Sequence, residues 1–249
     1  FFSDISGFTE TADRLESEDM TELLNEYLTE MSNIALAHGA TIDKYIGDAI
    51  MIFFGDPDSQ GLQEDAVRCV RMAIDMRNRL RELAAIWESR GLCETLSTRT
   101  GIHTGYCTVG NFGSEDRMDY TIIGGAVNLA SRLEHSATPG QILISNETYN
   151  LVREEVQCRE AETIRVKGIA YPVKTFVALH THEQAGTQAG RVFEQHEKFI
   201  VDVDLDRMGD EERSLARETL RSVLKRLDQD EEIAPEQQPP LDTRKTGSD

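Results

Sequence analysis

Two β-rich runs within residues 41–54 are separated only by Gly47-Asp48. A Gly-Asp pair between two such runs is typical of a tight β-hairpin. Apolar residues recur every three or four positions on both sides of this hairpin, which predicts long amphipathic helices at residues 20–37 and 64–87. A hairpin set between two long helices favours an α+β sandwich with a mainly antiparallel sheet over a series of strict βαβ units.

The rest of the first 180 residues continues this mixture of strands and helices. A Ser-Gly break ends the first strand, and helix-favouring sequence begins at Phe8. A third amphipathic helix is predicted at about residues 125–135. The predicted strands are residues 1–5, 41–46, 49–54, 96–103, 107–112, 141–145, 155–166 and 173–179, of which the last two form a closing pair.

The composition changes after residues 1–180, which we expect to form one domain. A polar linker is predicted at residues 181–192, and a strand-helix appendage at 193–230. Apolar residues of the appendage alternate along its strand, residues 199–205, and form one stripe along its helix, residues 213–229. Residues 231–249 are rich in Pro, Gln and charge, which predicts a disordered tail.

The charge and composition of the chain limit its partners. A formal net charge of -19 repels a nucleic-acid backbone, so we expect no nucleic-acid partner. An anionic nucleotide would bind only where metal ions or a few Lys and Arg side chains reverse the field. The four cysteines lack metal-site spacing, which predicts reduced thiols and a cytoplasmic location. Because Phe1 already lies within a strand-like run, we expect an upstream sensor or membrane-anchoring domain.

Two aspartates stand where predicted strands end. Asp4 lies at the end of the first strand in FFSDISGFT, and Asp48 lies at the hairpin tip in YIGDAI. If the strands are neighbours, both carboxylates point at one spot above the sheet edge. Carboxylate oxygens in such an arrangement suit Mg²⁺ or Mn²⁺ that bridges to substrate phosphates. In the alternative interpretation, Asp48 only forms the turn and Asp4 only caps the next helix.

The segment after the first strand is a candidate phosphate loop. Ser6, Gly7, Phe8 and Thr9 lead from the strand into a helix. Their backbone N–H groups would form a phosphate cradle at the helix N-terminus. Loops of this kind are common, so this segment alone does not identify a ligand.

A polar pair on the third predicted helix is a candidate nucleotide contact. Asn128 and Arg132 are four residues apart and share one helix face, while Val127 and Leu133 belong to the buried side. An Asn that holds a sugar beside an Arg that binds a phosphate fits nucleotide chemistry. A solvated polar face accounts for the same pair equally well.

Several ordered motifs together resemble the catalytic domain of class III nucleotidyl cyclases. The matching segments are FFSDISGFT, DKYIGDAIMIFFG, RTGIHTGYCTVGNFG, MDYTIIGGAVNLASRLE and RVKGIAYPV, which lie between residues 1 and 179. The resemblance implies that family's α+β fold, a ferredoxin-like βαββαβ core whose mainly antiparallel sheet is flanked by helices. It is closest to bacterial adenylate cyclases of the subgroup that selects the base with Lys and Thr.

The resemblance implies roles in metal binding and base selection. Asp4 and Asp48 match the metal-binding aspartates, and the carbonyl group of Ile5 usually joins them. The implied cofactors are two Mg²⁺ or Mn²⁺ ions per active site. Lys44 matches the base-selecting lysine of adenylate cyclases, and Thr121 occupies the second base-selecting position.

The resemblance also implies contacts to ribose and phosphates. Asn128 matches the ribose-orienting asparagine, Arg132 matches the transition-state arginine, and Lys167 matches a lysine that reaches the outer phosphates. Tyr106 departs from the pattern, because some mammalian cyclases carry Arg there. We therefore expect no phosphate contact from position 106.

The implied activity is that of an adenylate cyclase that converts ATP to 3′,5′-cyclic AMP and pyrophosphate as a homodimer. In this family one chain supplies the aspartates of a site and the other supplies the residues that bind base, ribose and α-phosphate. Lys44 disfavours a guanylate cyclase, which typically carries Glu there. A non-catalytic dimerisation module would have lost a metal-binding aspartate or Arg132, but Asp4, Asp48 and Arg132 are all present.

Overall fold

The computed structural model describes residues 1–92, 96–165, 171–182, 191–196, 199–204 and 208–231. Contacts along the chain divide it into two units, Phe1–Thr187 and Gln188–Asp249. Within the described ranges, no helix combines the length and the apolar character that a membrane span requires.

The first unit alternates strands and helices. Its strands are β1 (Phe2–Ile5), β2 (Thr41–Ile46), β3 (Ala49–Phe53), β4 (Thr98–Ile102), β5 (Thr108–Ser114), β6 (Arg117–Ile123), β7 (Ile142–Ser145), β8 (Val156–Glu160) and β9 (Thr175–Thr181). Its helices are α1 (Phe8–Ala12), α2 (Ser17–Ala37), α3 (Leu62–Ser89), α4 (Gly125–Ser136) and α5 (Asn146–Val152).

Seven strands form one sheet in the order β2-β3-β1-β4-β7-β9-β8. Neighbouring strands are antiparallel except for the parallel pair β4 and β7. The chain passes through β1, α2, β2, β3, α3 and β4, and these four strands lie in the order β2-β3-β1-β4. This is a ferredoxin-like βαββαβ core, so the predicted α+β fold is confirmed.

The main core lies between one face of the sheet and the helices α2 and α3. Leu23, Tyr27 and Met31 recur at four-residue spacing on α2, and all three are buried. Alternation along β3 separates the two faces of the sheet, because Ile50 and Ile52 join this core while Met51 and Phe53 belong to a separate cluster. Helix α4 packs on the other face, so both faces are covered, and β3 and β7 are almost continuous apolar runs.

The register of β1 sets the position of the candidate site. Ser3 pairs with Ile50 on one side and with Thr100 on the other, and Asp4 is aligned with Arg99. Asp4 therefore lies at the end of β1 next to the tip of the β2–β3 hairpin. Gly47 has a φ of 66° in that tip, a conformation that favours glycine.

Three elements differ from the sequence-based expectations. Strand β6 was not predicted, although it forms a two-stranded antiparallel sheet with β5. Helix α5 was also not predicted, and its first turn is capped by the Ser145 hydroxyl, which accepts from Thr148 N. The single strand expected at residues 199–205 is one half of a hairpin in the second unit.

That hairpin pairs β10 (Arg191–His196) with β11 (Phe199–Asp204) in antiparallel register. A helix, α6 (Asp210–Glu231), follows it, and its predicted extent was 213–229. Most of the expected linker and nearly all of the expected tail, residues 183–190 and 232–249, lie outside the described residues.

The contact between β4 and α4 leads to a testable prediction. A Cβ atom added to Gly101 would lie closer than 3.0 Å to backbone atoms of Ala130 and Glu134, so α4 would have to move away from the sheet. We expect Gly101→Ala to lower the free energy of unfolding by about 3 kcal/mol, the upper end for overpacking. Thermal melting followed by circular dichroism measures this loss.

Gly125→Ala is the matched control, because a Cβ atom there would meet nothing within 4 Å. It should melt within about 2 °C of the original protein, since unstrained surface substitutions change the stability of a domain by less than about 0.5 kcal/mol. Equal melting temperatures for both variants would show that α4 does not rest directly on the β4 backbone.

Candidate active site

The carboxyl groups of Asp4 and Asp48 meet at the end of β1. Asp48 reaches across from the hairpin tip, and its Oδ2 accepts a hydrogen bond from Ile5 N at 3.0 Å. Burial raises the pKa of Asp48 to about 7, and the neighbouring Asp4 carboxyl group adds to this shift. The two aspartates therefore form a half-buried acidic pair at one sheet edge, in the arrangement that the sequence predicted.

The alternative of two unrelated capping residues does not describe this geometry. Helix α1 begins after Gly7, and no side chain forms a hydrogen bond that caps it. Asp4 therefore does not cap α1. Asp48 lies in a turn, but its carboxylate holds the backbone of a different strand.

The acidic pair fits a hard divalent cation. Burial is the main cause that raises the pKa of Asp48, and the neighbouring Asp4 raises it further because two ionised carboxylates repel each other. Among the described residues no group of three or more His, Cys, Asp or Glu side chains has metal-binding geometry. A site with two carboxylates suits Mg²⁺, because this ion usually binds one or two carboxylates and completes its coordination shell with water and substrate phosphates.

Arg99 is a site residue that the sequence reasoning missed. Its guanidinium donates to Asp4 Oδ2 at 2.7 Å, and its Nε lies 3.3 Å from Glu134 Oε1. Glu134 is buried, and desolvation is the main cause that raises its pKa. Arg99 thus places a positive charge beside Asp4, whereas Asp48 is held by an uncharged backbone N–H. The sequence pattern of β4 around Arg99 does not indicate that this residue contacts Asp4.

A second group of site residues joins β2 to β6. Thr121 Oγ1 donates to Asp43 Oδ2 at 2.6 Å, and Ile122 N donates to the same oxygen at 3.2 Å. Lys44 Nζ lies 3.2 Å from the other oxygen of Asp43. The structure thus brings Lys44 and Thr121 to one carboxylate. Asp43 was not predicted as a site residue.

Asn128 and Arg132 lie on the exposed side of α4. The prediction is confirmed for Leu133, which is buried together with Leu129, whereas Val127 is only partly buried. Within the described part of the chain, no ion pair or side-chain hydrogen bond joins either residue to the acidic pair or to the Asp43 group. Their exposed side chains are available to a ligand or to another chain.

The candidate phosphate loop is only partly free to bind an anion. Ser6 N donates to the carbonyl oxygen of Ser97 at 2.8 Å, so this N–H is already used. Gly7 adopts a left-handed conformation with a φ of 71° and turns the chain into the five-residue helix α1. The remaining candidates are the N–H groups of Gly7, Phe8 and Thr9. Lys167 lies outside the described residues.

Comparisons with known proteins identify the family. Residues 1–180 match the family described as the adenylate and guanylate cyclase catalytic domain. The chain belongs to this family. The acidic pair and the Asp43 group therefore lie in a nucleotidyl cyclase domain, and the predicted family resemblance is confirmed.

Two solved structures and one curated relative illustrate the similarity. The adenylyl cyclase CyaB from P. aeruginosa is 54% identical, with a TM-score of 0.70 over 72% of this chain and 91% of that chain. The guanylyl cyclase Cya2 is 37% identical, with a TM-score of 0.69 over 73% and 91% of the two chains. The terminal-differentiation specific adenylate cyclase of Dictyostelium discoideum is 35% identical over 72% of this chain, which spans only 8% of that relative.

The raised pKa of Asp48 predicts a dependence of stability on pH in the metal-free protein. Its pKa is about 7 when folded against an ordinary value of 3.8, so between these values only the folded state holds the proton. The contribution of this residue to the free energy of unfolding therefore falls as the pH rises from about 4 to 7 and is constant above. Because the carboxyl group is only half-buried, we expect a loss of roughly 1–2 kcal/mol.

Asp48→Asn isolates this effect, because the amide oxygen still accepts from Ile5 N but does not titrate. Melting temperatures of both proteins in EDTA, measured from pH 4.5 to pH 8, should show the original protein losing a few degrees relative to the variant. Parallel curves for the two proteins would mean that Asp48 ionises normally.

Proposed function

We propose that this domain is an adenylate cyclase that converts ATP to 3′,5′-cyclic AMP and pyrophosphate at sites shared by two copies of the chain. The observation that carries the proposal is the meeting of Lys44 and Thr121 on the Asp43 carboxylate. The greater identity to an adenylyl cyclase than to a guanylyl cyclase, 54% against 37%, supports it.

The choice of ATP follows from hydrogen bonding at the base. Adenine accepts at N1 and donates from its 6-amino group, so Lys44 donates to N1 and Thr121 accepts from the amine. Guanine presents the reverse pattern, with a donor at N1 and an acceptor at O6. Burying mismatched polar groups costs about 1–3 kcal/mol for each group, so GTP should be used poorly.

The cyclisation is an in-line substitution at the α-phosphorus. The ribose O3′ forms a bond to the α-phosphorus, the bond from that phosphorus to the bridging oxygen of the β-phosphate breaks, and pyrophosphate leaves. The proton of the 3′-hydroxyl passes to solvent. Asn128 orients the ribose for this attack, and Arg132 stabilises the charge on the α-phosphoryl oxygens in the transition state.

The acidic pair supplies the expected metal site. Asp4, Asp48 and the carbonyl oxygen of Ile5 would hold two Mg²⁺ or Mn²⁺ ions, which when bound lower the pKa of the 3′-hydroxyl and neutralise the leaving pyrophosphate. Arg99 holds Asp4 in position by its ion pair. The side chain of Asp48 is oriented by Ile5 N.

Several observations on the first unit support a homodimer. Asn128 and Arg132 are exposed and belong to neither side-chain group. Large apolar side chains are exposed at the end of β2 and along the β5–β6 hairpin, namely Tyr45, Ile46, Met118, Tyr120 and Ile123. An exposed apolar patch of this kind marks a surface for protein association. A second copy would cover it and bring Asn128 and Arg132 to the acidic pair of its partner.

The direct test is incubation of the purified chain with Mn²⁺ and either ATP or GTP, followed by chromatographic identification of the product. We expect cyclic AMP, with kcat/KM for ATP at least about 100-fold above that for GTP. Arg159→Ala, an exposed arginine on β8 at the opposite edge of the sheet, should retain full activity. Cyclic GMP as the main product would establish the guanylate cyclase alternative.

Complementation tests the shared site. Asp48→Ala removes a metal ligand, and Arg132→Ala removes a transition-state contact worth about 10²–10³-fold in rate. Each variant alone should be nearly inactive. In a mixed dimer one site carries both changes and the other carries neither. Random pairing gives about half mixed dimers, so co-expression should restore about a quarter of the original activity.

The same experiment separates the alternatives for Arg132. Inactive single variants that stay inactive in mixed dimers, verified by differential tags, would contradict the shared site. Full activity of Arg132→Ala alone would show that this arginine is only a solvated helix residue.

A further inference from the structure

Asp43 is a buried carboxylate that the proposed reaction does not use directly. Its side chain has an exposed fraction of 0%. Its Oδ2 accepts from the Thr121 hydroxyl at 2.6 Å and from Ile122 N at 3.2 Å. An ionised carboxylate offers only acceptor sites, so Thr121 has to be the donor in this pair.

The direction of this hydrogen bond fixes what Thr121 presents to a ligand. A hydroxyl group has one proton and two lone pairs, so a free threonine either donates or accepts. When its single proton is held by Asp43, Thr121 has only lone pairs left. A base beside it therefore meets an acceptor, which suits the 6-amino group of adenine and repels the 6-oxo group of guanine or hypoxanthine.

The interaction of Asp43 with Lys44 differs from its hydrogen bond with Thr121. Asp43 Oδ1 lies 3.2 Å from Lys44 Nζ, yet this oxygen makes no hydrogen bond among the described residues. Asp43 thus attracts the ammonium group of Lys44 by charge without accepting a hydrogen bond from it. The Lys44 side chain is 36% exposed, so its N–H groups remain available as donors to a base nitrogen.

The geometry points to Asp43 as a positioning residue that sets the hydrogen-bond polarity of the base site and restricts it to 6-aminopurine nucleoside triphosphates. The inference rests on the proposed function, because it assumes that Lys44 and Thr121 read the base. Asp43 contacts no base itself. It acts through Thr121, whose proton it holds, and secondarily through the position of Lys44.

ITP is the substrate that tests this inference most directly. Hypoxanthine has the N1 donor and O6 acceptor of guanine but lacks the 2-amino group, so it differs from adenine only at the edge in question. The original protein should favour ATP over ITP by at least about 100-fold in kcat/KM. A protein that makes cyclic AMP but uses ITP equally well would overturn the inference without any variant.

Asp43→Asn is the central variant, because an amide supplies a donor as well as an acceptor and no longer obliges Thr121 to donate. We expect the ratio of kcat/KM for ATP to that for ITP to fall at least tenfold. Asp43→Ser, a smaller side chain that also donates and accepts, should lower the ratio in the same direction. An unchanged ratio in whichever of these variants folds and remains active would overturn the inference, as would failure of both to fold, since Asp43 would then be structural.

A double-mutant cycle shows whether Asp43 acts through Thr121. Thr121→Val removes the hydroxyl group and keeps the shape of the side chain. In the Thr121→Val background, Asp43→Asn should change the logarithm of the ratio of kcat/KM for ATP to that for ITP by at most half as much as it does in the original protein. Full retention of the effect would mean that Asp43 does not act through the hydroxyl group.

Asp65→Asn is the matched control for loss of a buried carboxylate. Asp65 Oδ2 accepts from the Ser59 hydroxyl at 2.5 Å, and its Oδ1 accepts from Gln60 N at 3.0 Å and lies 3.8 Å from Arg68. Asp65→Asn should lower the free energy of unfolding about as much as Asp43→Asn does. It should leave the ratio of kcat/KM for ATP to that for ITP unchanged. A parallel fall of the ratio in Asp65→Asn would assign the effect to general loosening. Absence of any cyclic nucleotide from the original protein would instead contradict the proposed function itself.

Discussion

The antiparallel pairing of β1 on both sides is the constraint on which the rest of the site depends. Hydrogen bonds to β3 and β4 fix the strand in one register, and this register aligns Asp4 with Arg99 and brings Ile5 N to Asp48. Side chains alternate along a strand, so a slip of one residue would turn Asp4 to the opposite face and would also expose Ile5. Burial of Ile5 in the main core therefore helps to fix Asp4 in the acidic pair.

This arrangement keeps like charges together against their mutual repulsion. The apolar core between the sheet and the helices α2 and α3 supplies the stability that holds Asp4 and Asp48 in contact. Arg99 forms an ion pair with Asp4 and not with Asp48 among the described residues, so the two aspartates are electrostatically different before any ligand binds. A carboxyl group with a pKa of about 7 can exchange its proton for a cation near neutral pH at little cost.

Local patterns predicted most of the fold and the meeting of Asp4 and Asp48, but not the contacts of Asp43 and Arg99. The hairpin at Gly47-Asp48 and the helices α2 and α3 have strong periodic signals, and the acidic pair follows once the strands are neighbours. Helix α5 was missed because seven residues contain too few turns to show a period. The roles of Asp43 and Arg99 arise from contacts with residues 78 and 95 positions away, and no local pattern reports such contacts.

The shared carboxylate of Lys44 and Thr121 affects how base preference is able to change during evolution. A glutamate in place of Lys44 would stand beside the buried Asp43 and repel it, and a cysteine in place of Thr121 would leave that carboxylate with a weaker donor. Each single step toward a guanine-reading site would therefore lower the stability of the domain before any new preference is gained. On the proposed base selection, substitutions at Asp43, Lys44 and Thr121 are therefore energetically coupled to one another.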